Sequence, residues 1–340
     1  MPEHSPEHPG NQAPGSNYFP SGDFLESPNL ATELTQIADV DAYNLEALHN
    51  LDPDQVPEDA VKKRLGWTFW IAAAWIFLIV ALALLAPLLE KLGMPDPTQP
   101  VCTSRDCSLQ PPLSGYGLMG TDKLRRDIFA RVIWGARVSI LVGVAAVIFG
   151  IFFGSIIGII AGFFKGKVQT VLMGAMDVLL AFPALLLAMS IVTFLDDKSV
   201  KTIVLAIGIV AIPPVARLVR ASTLVFAERE FVLAARTLGA SNGRVITKEI
   251  LPNAVLPIVS FGIIGVAVAI VAEGALAFLG LSIPPPDPTW GSMINEGRAT
   301  LETAPWVTLM PCLVLFLTVL SLNLAGDRLR EYFDIREGAL

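Results

Sequence analysis

The sequence predicts an all-α membrane protein with about six transmembrane helices, a helical loop on the cytoplasmic side, and N- and C-termini on that same side. Three observations carry this expectation. Hydrophobic residues make up 53% of the chain and charged residues only 16%, where a soluble domain of this size carries roughly 25% charged. The apolar residues are gathered into runs long enough to cross the ~30 Å hydrocarbon layer of a bilayer. Backbone polar groups in lipid must be satisfied within the segment, and these runs are too long and too uniformly apolar for barrel strands.

Residues 1–60 precede the first run. They hold twelve Asp and Glu and no Lys or Arg, with a Pro-, Gly- and Ser-rich start. This composition predicts an acidic, largely disordered cytoplasmic tail, with a weak helical pattern over 31–49. The overall charge of −7 therefore hides a basic body: residues 61–340 hold nineteen acids against 24 bases. No basic n-region opens the chain and the first apolar run comes late, so no signal peptide is expected.

The transmembrane domain, 61–340, then reads as spans. The first, 67–89, is charge-free and follows Lys62, Lys63 and Arg64, which places its start in the cytoplasm. The second, 138–164, is charge-free. The third, 168–195, contains only Asp177, and the fourth, 202–219, carries Pro213 and Pro214. The fifth, 254–283, contains only Glu273, and the sixth, 306–325, is charge-free. Fourteen Lys and Arg fall on the predicted cytoplasmic side and ten on the other, a moderate bias of the expected sign. Five of those ten lie between Lys123 and Arg137, a stretch that reads as an amphipathic helix lying on the outer surface.

Gly150, Gly154, Gly158 and Gly162 recur every fourth residue in the second span. They form a small-residue face that lets another helix approach closely, in this chain or in a partner. The longest cytoplasmic loop, 220–253, reads as two short helices joined by a turn. Gly239 suits the left-handed position that ends a helix. Ser241 can cap the next helix, and Pro252 is expected to stop it. Such a loop is either an ordinary connector or a docking knob for a soluble partner.

The stretch FVLAARTLGASNGRVITKEILPN (231–253) resembles the EAA loop of bacterial ABC importer permeases: Glu-Ala-Ala, three residues, Gly, nine residues, Ile-x-Leu-Pro. Ala234, Ala235, Gly239, Leu251 and Pro252 stand at the matching places. Leu233 replaces the Glu and Glu249 the Ile. Three further stretches resemble the dipeptide- and oligopeptide-type (DppC/OppC-like) branch. They are GTDKLRRDIFARVIWGARVSILVG (120–143), where Arg125 replaces the usual Gly, EGALAFLGLSIPPPDPTWGSMINEGR (273–298) and GDRLREYFD (326–334). The third span contributes DVLLAFPALLLA (177–188).

The resemblance implies a type I ABC importer permease-like fold with a cytoplasmic coupling-helix loop, in the bacterial inner membrane. It implies a subunit that translocates peptides or similar small solutes, and that pairs with a second homologous permease. Two cytoplasmic ATPases using ATP and Mg would bind beneath, and an extracytoplasmic substrate-binding protein would deliver the solute. The coupling loop would be carried by Leu233, Ala234, Ala235, Gly239, Ala240, Ser241, Leu251 and Pro252.

The alternative is a self-sufficient secondary transporter or channel, which usually carries several ionisable groups in its spans. All three histidines lie in the tail, so the body has none for acid–base or metal chemistry. No catalytic set, cofactor site or metal site is read. GFFKGKV (162–168) resembles a phosphate loop, but has three residues between its glycines and Val after Lys167, so it fails that pattern.

Asp177 and Glu273, as acids within spans, either line a translocation pathway or are structurally paired, Glu273 with Arg298. Trp290, in the Pro-rich segment after the fifth span, either belongs to a gate or anchors the loop at the membrane interface. Cys102 and Cys107 can form a disulfide if their loop faces an oxidising compartment. Cys312 reads as packing.

Overall fold

The computed structural model describes residues 66–338; the acidic tail read over 1–60 lies outside the described residues. Nine helices of eight or more residues are found there. α1 is Gly66–Lys91, α2 Ile128–Phe163, α3 Lys167–Ala181, α4 Ala184–Leu195 and α5 Val200–Ala227. α6 is Glu230–Thr237, α7 Asn242–Phe278, α8 Trp290–Gly297 and α9 Trp306–Gly338. Five of them (α1, α2, α5, α7 and α9) are long and apolar enough to cross a membrane.

The third span read from sequence is not one helix. It is the pair α3 and α4, broken at Phe182–Pro183 and bent by 87°. Pro183 forces the residue before it into extended backbone, and Phe182 has φ −82° and ψ 135°.

α2 runs 36 residues, ~54 Å at 1.5 Å per residue, well beyond the hydrocarbon thickness. It begins ten residues before the span expected at 138. Asp127 caps it, its carboxylate accepting from the Ala130 amide at 2.8 Å. The expected surface-lying helix over 123–137 is therefore absent: its second half is the first turns of α2. Ile128, Val132 and Ala136 pack there with Ile270 of α7 and Trp290 and Met293 of α8.

The glycine face closes within the chain. α2 lies along α5, and a Cβ placed on Gly150, Gly154, Gly158 or Gly162 would stand 2.6–2.8 Å from atoms of Ala211, Val215, Ala216 and Thr223. Each is too close for any side chain, so glycine sets the separation of the two helices. α1 is joined to α9 by the Trp75 indole, which donates to Thr318 Oγ1 at 3.2 Å.

Residues 92–127 form an irregular cap at the N-terminal end of α2. Val101 donates to the Arg125 carbonyl at 2.9 Å, and Thr121 pairs with Asp127. Cys102 and Cys107 form a disulfide in this cap, their Cα atoms 6.6 Å apart. Arg125 sits at φ +64°. That is the left-handed region in which glycine is at ease, which accounts physically for the glycine expected at this place. Cys312 is a free, exposed thiol.

Candidate functional site

Three constellations stand out along the axis of the spans. The first is the loop between α5 and α7. α6 ends in a Schellman motif: the Ala240 amide donates to Ala235 O and the Gly239 amide to Arg236 O, both at 3.0 Å. Gly239 takes φ +82°. The inner side of the loop is nailed to the span core, since Val232, Val245 and Ile250 are fully buried among Val219, Phe226 and Ala254. The outer side is open: Phe231, Leu233, Ala234 and Leu238 are exposed, Leu238 at 88%. An apolar tip on a rigid base is a shape suited to a socket.

Ser241 occupies the N-cap position of α7, but its side chain caps nothing. Pro252 does not stop the helix as expected. The turn before it, Val245–Ile250, is π-helical and runs on into Leu251–Phe278. The Leu251 amide reaches back to Ile246 O, and this wider turn accommodates the proline without breaking the coil. Leu233, where an acid was expected from the resemblance, is 52% exposed. Beside the loop, Lys165 pairs with Glu228 at 2.9 Å. The Lys165 hydrogen bond and charge hold the Glu228 carboxyl below its ordinary range.

The second constellation is near the start of α2. Glu273 is fully buried. Its carboxylate accepts from Ser139 Oγ at 3.0 Å and Ser282 Oγ at 2.9 Å. Ser139 also accepts the Trp290 backbone N–H. The expected partner Arg298 is elsewhere, its guanidinium 5.5 Å from the Phe278 ring centre. Trp290 is not an interface anchor either. It is the first residue of α8, which is closed by a Thr289–Ser292 capping box. It is fully buried, and its indole N–H donates to Val132 O at 3.0 Å.

Sequence reasoning missed the charges above this layer. Arg126 binds Asp122 at 2.6 Å and Glu296 at 2.7 Å, and Arg131 binds Glu296 at 3.0 Å. Both arginines are buried. These are two of the bases assigned to a surface helix. The signal that could have found them was Asp122 and Arg126 four apart in a stretch otherwise rich in bases.

The third constellation lies within the spans. Asp177 of α3 meets Arg217 of α5 at 2.6 Å, with 58% and 54% of their side chains exposed. The fourth span was read as ending at residue 219. α5 in fact continues to Ala227, so Arg217 sits well inside the helix. Among the described residues, no group of three His, Cys, Asp or Glu is placed to hold a metal ion.

The family described as "Binding-protein-dependent transport system inner membrane component" matches residues 154–337. This stretch holds the loop around α6, the buried carboxylate and both members of the Asp177–Arg217 pair. A di/tripeptide transport system permease protein of Pseudomonas aeruginosa is 36% identical, over 85% of this chain and 98% of its own length. A dipeptide transport system permease protein of Alkalihalophilus pseudofirmus is 38% identical, over 75% of this chain and 81% of its own. A glutathione transport system permease protein of Pectobacterium atrosepticum is 40% identical, over 64% and 71%. In fold, the chain is similar to a solved inward-facing structure of the MetNI methionine ABC transporter. The TM-score is 0.51 at 17% identity, over 59% of this chain and 96% of that one. A family match across more than half of the chain, and relatives this similar over most of it, establish that the chain belongs to the binding-protein-dependent transport system inner membrane components, the permease subunits of ABC importers.

Proposed function

We propose that this inner-membrane permease moves peptides or similar small solutes, and that the loop around α6 receives a cytoplasmic ATPase. The relatives named above supply the substrate class; the loop supplies the coupling. The observation that carries the reading is the contrast between the two sides of that loop. Val232, Val245 and Ile250 fix it to the spans, while Leu233, Ala234 and Leu238 face outward at a turn held by Gly239.

In this reading two ATPases bind, one beneath this chain and one beneath a second homologous permease, and hydrolyse ATP with Mg. The chain itself makes and breaks no covalent bond. ATPase closure displaces α6, and the buried valine and isoleucine contacts transmit the displacement to α5 and α7. The spans then exchange between two packings, one open inward and one outward. An extracytoplasmic binding protein delivers solute to the outer face. The family assignment sets aside the rival reading of a self-sufficient transporter.

The test is an affinity pull-down from detergent-solubilised native membranes, comparing the intact chain with Gly239→Asp. A side chain at φ +82° strains the turn. It has open space around it, with nothing within 4 Å of its Cβ, so the spans stay folded. The intact chain is expected to bring down ATPases and a second permease, and the variant to lose the ATPases. An intact chain that comes down alone overturns the reading.

A further inference from the structure

The Asp177–Arg217 ion pair lies at a depth where lipid is a costly neighbour. The Lys165–Glu228 bridge sets the start of α3 level with the end of α5. Asp177 is ten residues into α3 and Arg217 ten residues from the end of α5, each ~15 Å from that common surface. α5 has 28 residues, ~42 Å against a ~30 Å hydrocarbon layer, so even if its whole excess emerged at this end, Arg217 would remain inside. Yet more than half of each charged side chain is uncovered. Charges at such depth face water or protein.

A second, independent feature lies on the same element. The break between α3 and α4 exposes residues 181–186. α4 starts without a side-chain cap. Open backbone groups at membrane depth are tolerated only against protein or a water-filled cavity. The break leaves the negative end of α3 and the positive end of α4 side by side. It lies ~7 Å along the chain axis from Asp177.

We propose that this face of α3, α4 and α5 is the wall of a hydrated passage. We assign Asp177 and Arg217 as a transit site for zwitterionic solutes, the carboxylate meeting an ammonium group and the guanidinium a carboxylate. The ion pair is the resting state of the site. A solute that carries both charges opens it and leaves both partners satisfied, whereas a singly charged solute leaves one of them bare and a neutral one leaves the pair closed. Selection of this kind sits in the permease itself, downstream of any binding protein. The assignment rests on the import reading above, but its test needs neither ATP nor ATPase binding, so the two can fail separately.

The probe is a cysteine at Gly174, one turn from Asp177, where an added Cβ meets nothing within 4 Å. The exposed Cys312 is first replaced by serine. The chain in native membrane vesicles is treated with the cationic reagent trimethylammonioethyl methanethiosulfonate and with an anionic sulfonate counterpart. Both are expected to react, and excess glycylglycine to slow both severalfold, while N-acetylglycinamide leaves the rates unchanged. Asp177→Asn and Arg217→Gln should each abolish this protection and shift the cation-to-anion rate ratio in opposite directions. The charge-swapped pair, Asp177→Arg with Arg217→Asp, is expected to restore protection. A thiol that neither reagent reaches, or one that reacts equally with and without glycylglycine, overturns the assignment. Protection that survives both single variants overturns it too.

Discussion

Glu273 is the residue whose surroundings speak most directly. Two hydroxyls point at its two oxygens in a fully buried layer. Glu273→Gln keeps an oxygen for one serine and offers an N–H to the other, whose hydroxyl can turn to accept it. It should leave the unfolding midpoint of the detergent-solubilised protein close to that of the parent. Glu273→Ala strands both hydroxyls and opens a void, at a cost of about 2–5 kcal/mol. The same thermal measurement should show a clear fall.

Asp127 answers to pH. Burial raises its carboxyl above the ordinary 3.8, against the pull of the Ala130 and Phe129 amides. A carboxyl with a raised folded value favours the folded state most below the unfolded value. That contribution is lost as pH rises through the folded value. Asp127→Asn keeps a capping oxygen and should flatten the dependence of the midpoint on pH between 4 and 7, which a series of melts would record.

Among the elements, the α2–α5 seam is the one that sequence foretold and structure located. Its period of four is visible in the letters. The identity of the opposite wall is not, because nothing in Gly150 to Gly162 encodes Ala211 to Thr223. A Cβ on Gly158 would stand 2.6 Å from the Ala216 carbonyl oxygen and 2.7 Å from Val219 Cβ. Gly158→Leu should therefore cost at least about 3 kcal/mol and lower the yield of monodisperse protein on size exclusion. Gly174→Ala, in open space, should not.

Elsewhere, reading elements from hydropathy ran into two physical limits. Pro252 was taken to end a helix, and Pro183 was read through. At Pro252 a π-helical turn carried the coil through, while at Pro183 the coil did break. The same residue gives opposite outcomes, because the turn before it decides. Charge was taken to mark the surface. Arg126 and Arg131 are buried because Asp122 and Glu296 meet them, and Glu296 is more than 160 residues away in the chain. Hydropathy is local and cannot register such a partner. The loop around α6 was the most legible in its geometry, since helix, turn and glycine are all encoded within some twenty residues. The Asp177 partner was the least legible, because Arg217 lies forty residues away in the chain and no local pattern links the two.

For the whole molecule, the 92–127 cap is held to α8 by charge where the loop around α6 is held by apolar packing. Removing one member of a buried ionic group leaves the others uncompensated, so Arg131→Ala should destabilise by about 3 kcal/mol. Glu296→Ala should do likewise. Because the two side chains touch, the double variant should fall short of the sum by about 1–3 kcal/mol. Chemical denaturation of the four proteins in one detergent gives that difference directly. Strict additivity would show that Arg126 alone holds Glu296.

The glycine seam has a mechanical consequence. Interdigitated side chains can ratchet past one another, each rotamer change absorbing a little of an applied displacement. Backbone laid against backbone has no such give. α2 and α5 therefore behave as one strut, and α2 is ~54 Å long, with Phe163 beneath the Arg236 side chain at one end and Asp127 under the cap at the other. A small tilt imposed at the Phe163 end arrives at the Asp127 end as a sideways throw, undiminished and without a relay of intermediate contacts. The period-four glycines supply the stiffness that lets a nudge at one membrane surface be felt at the other.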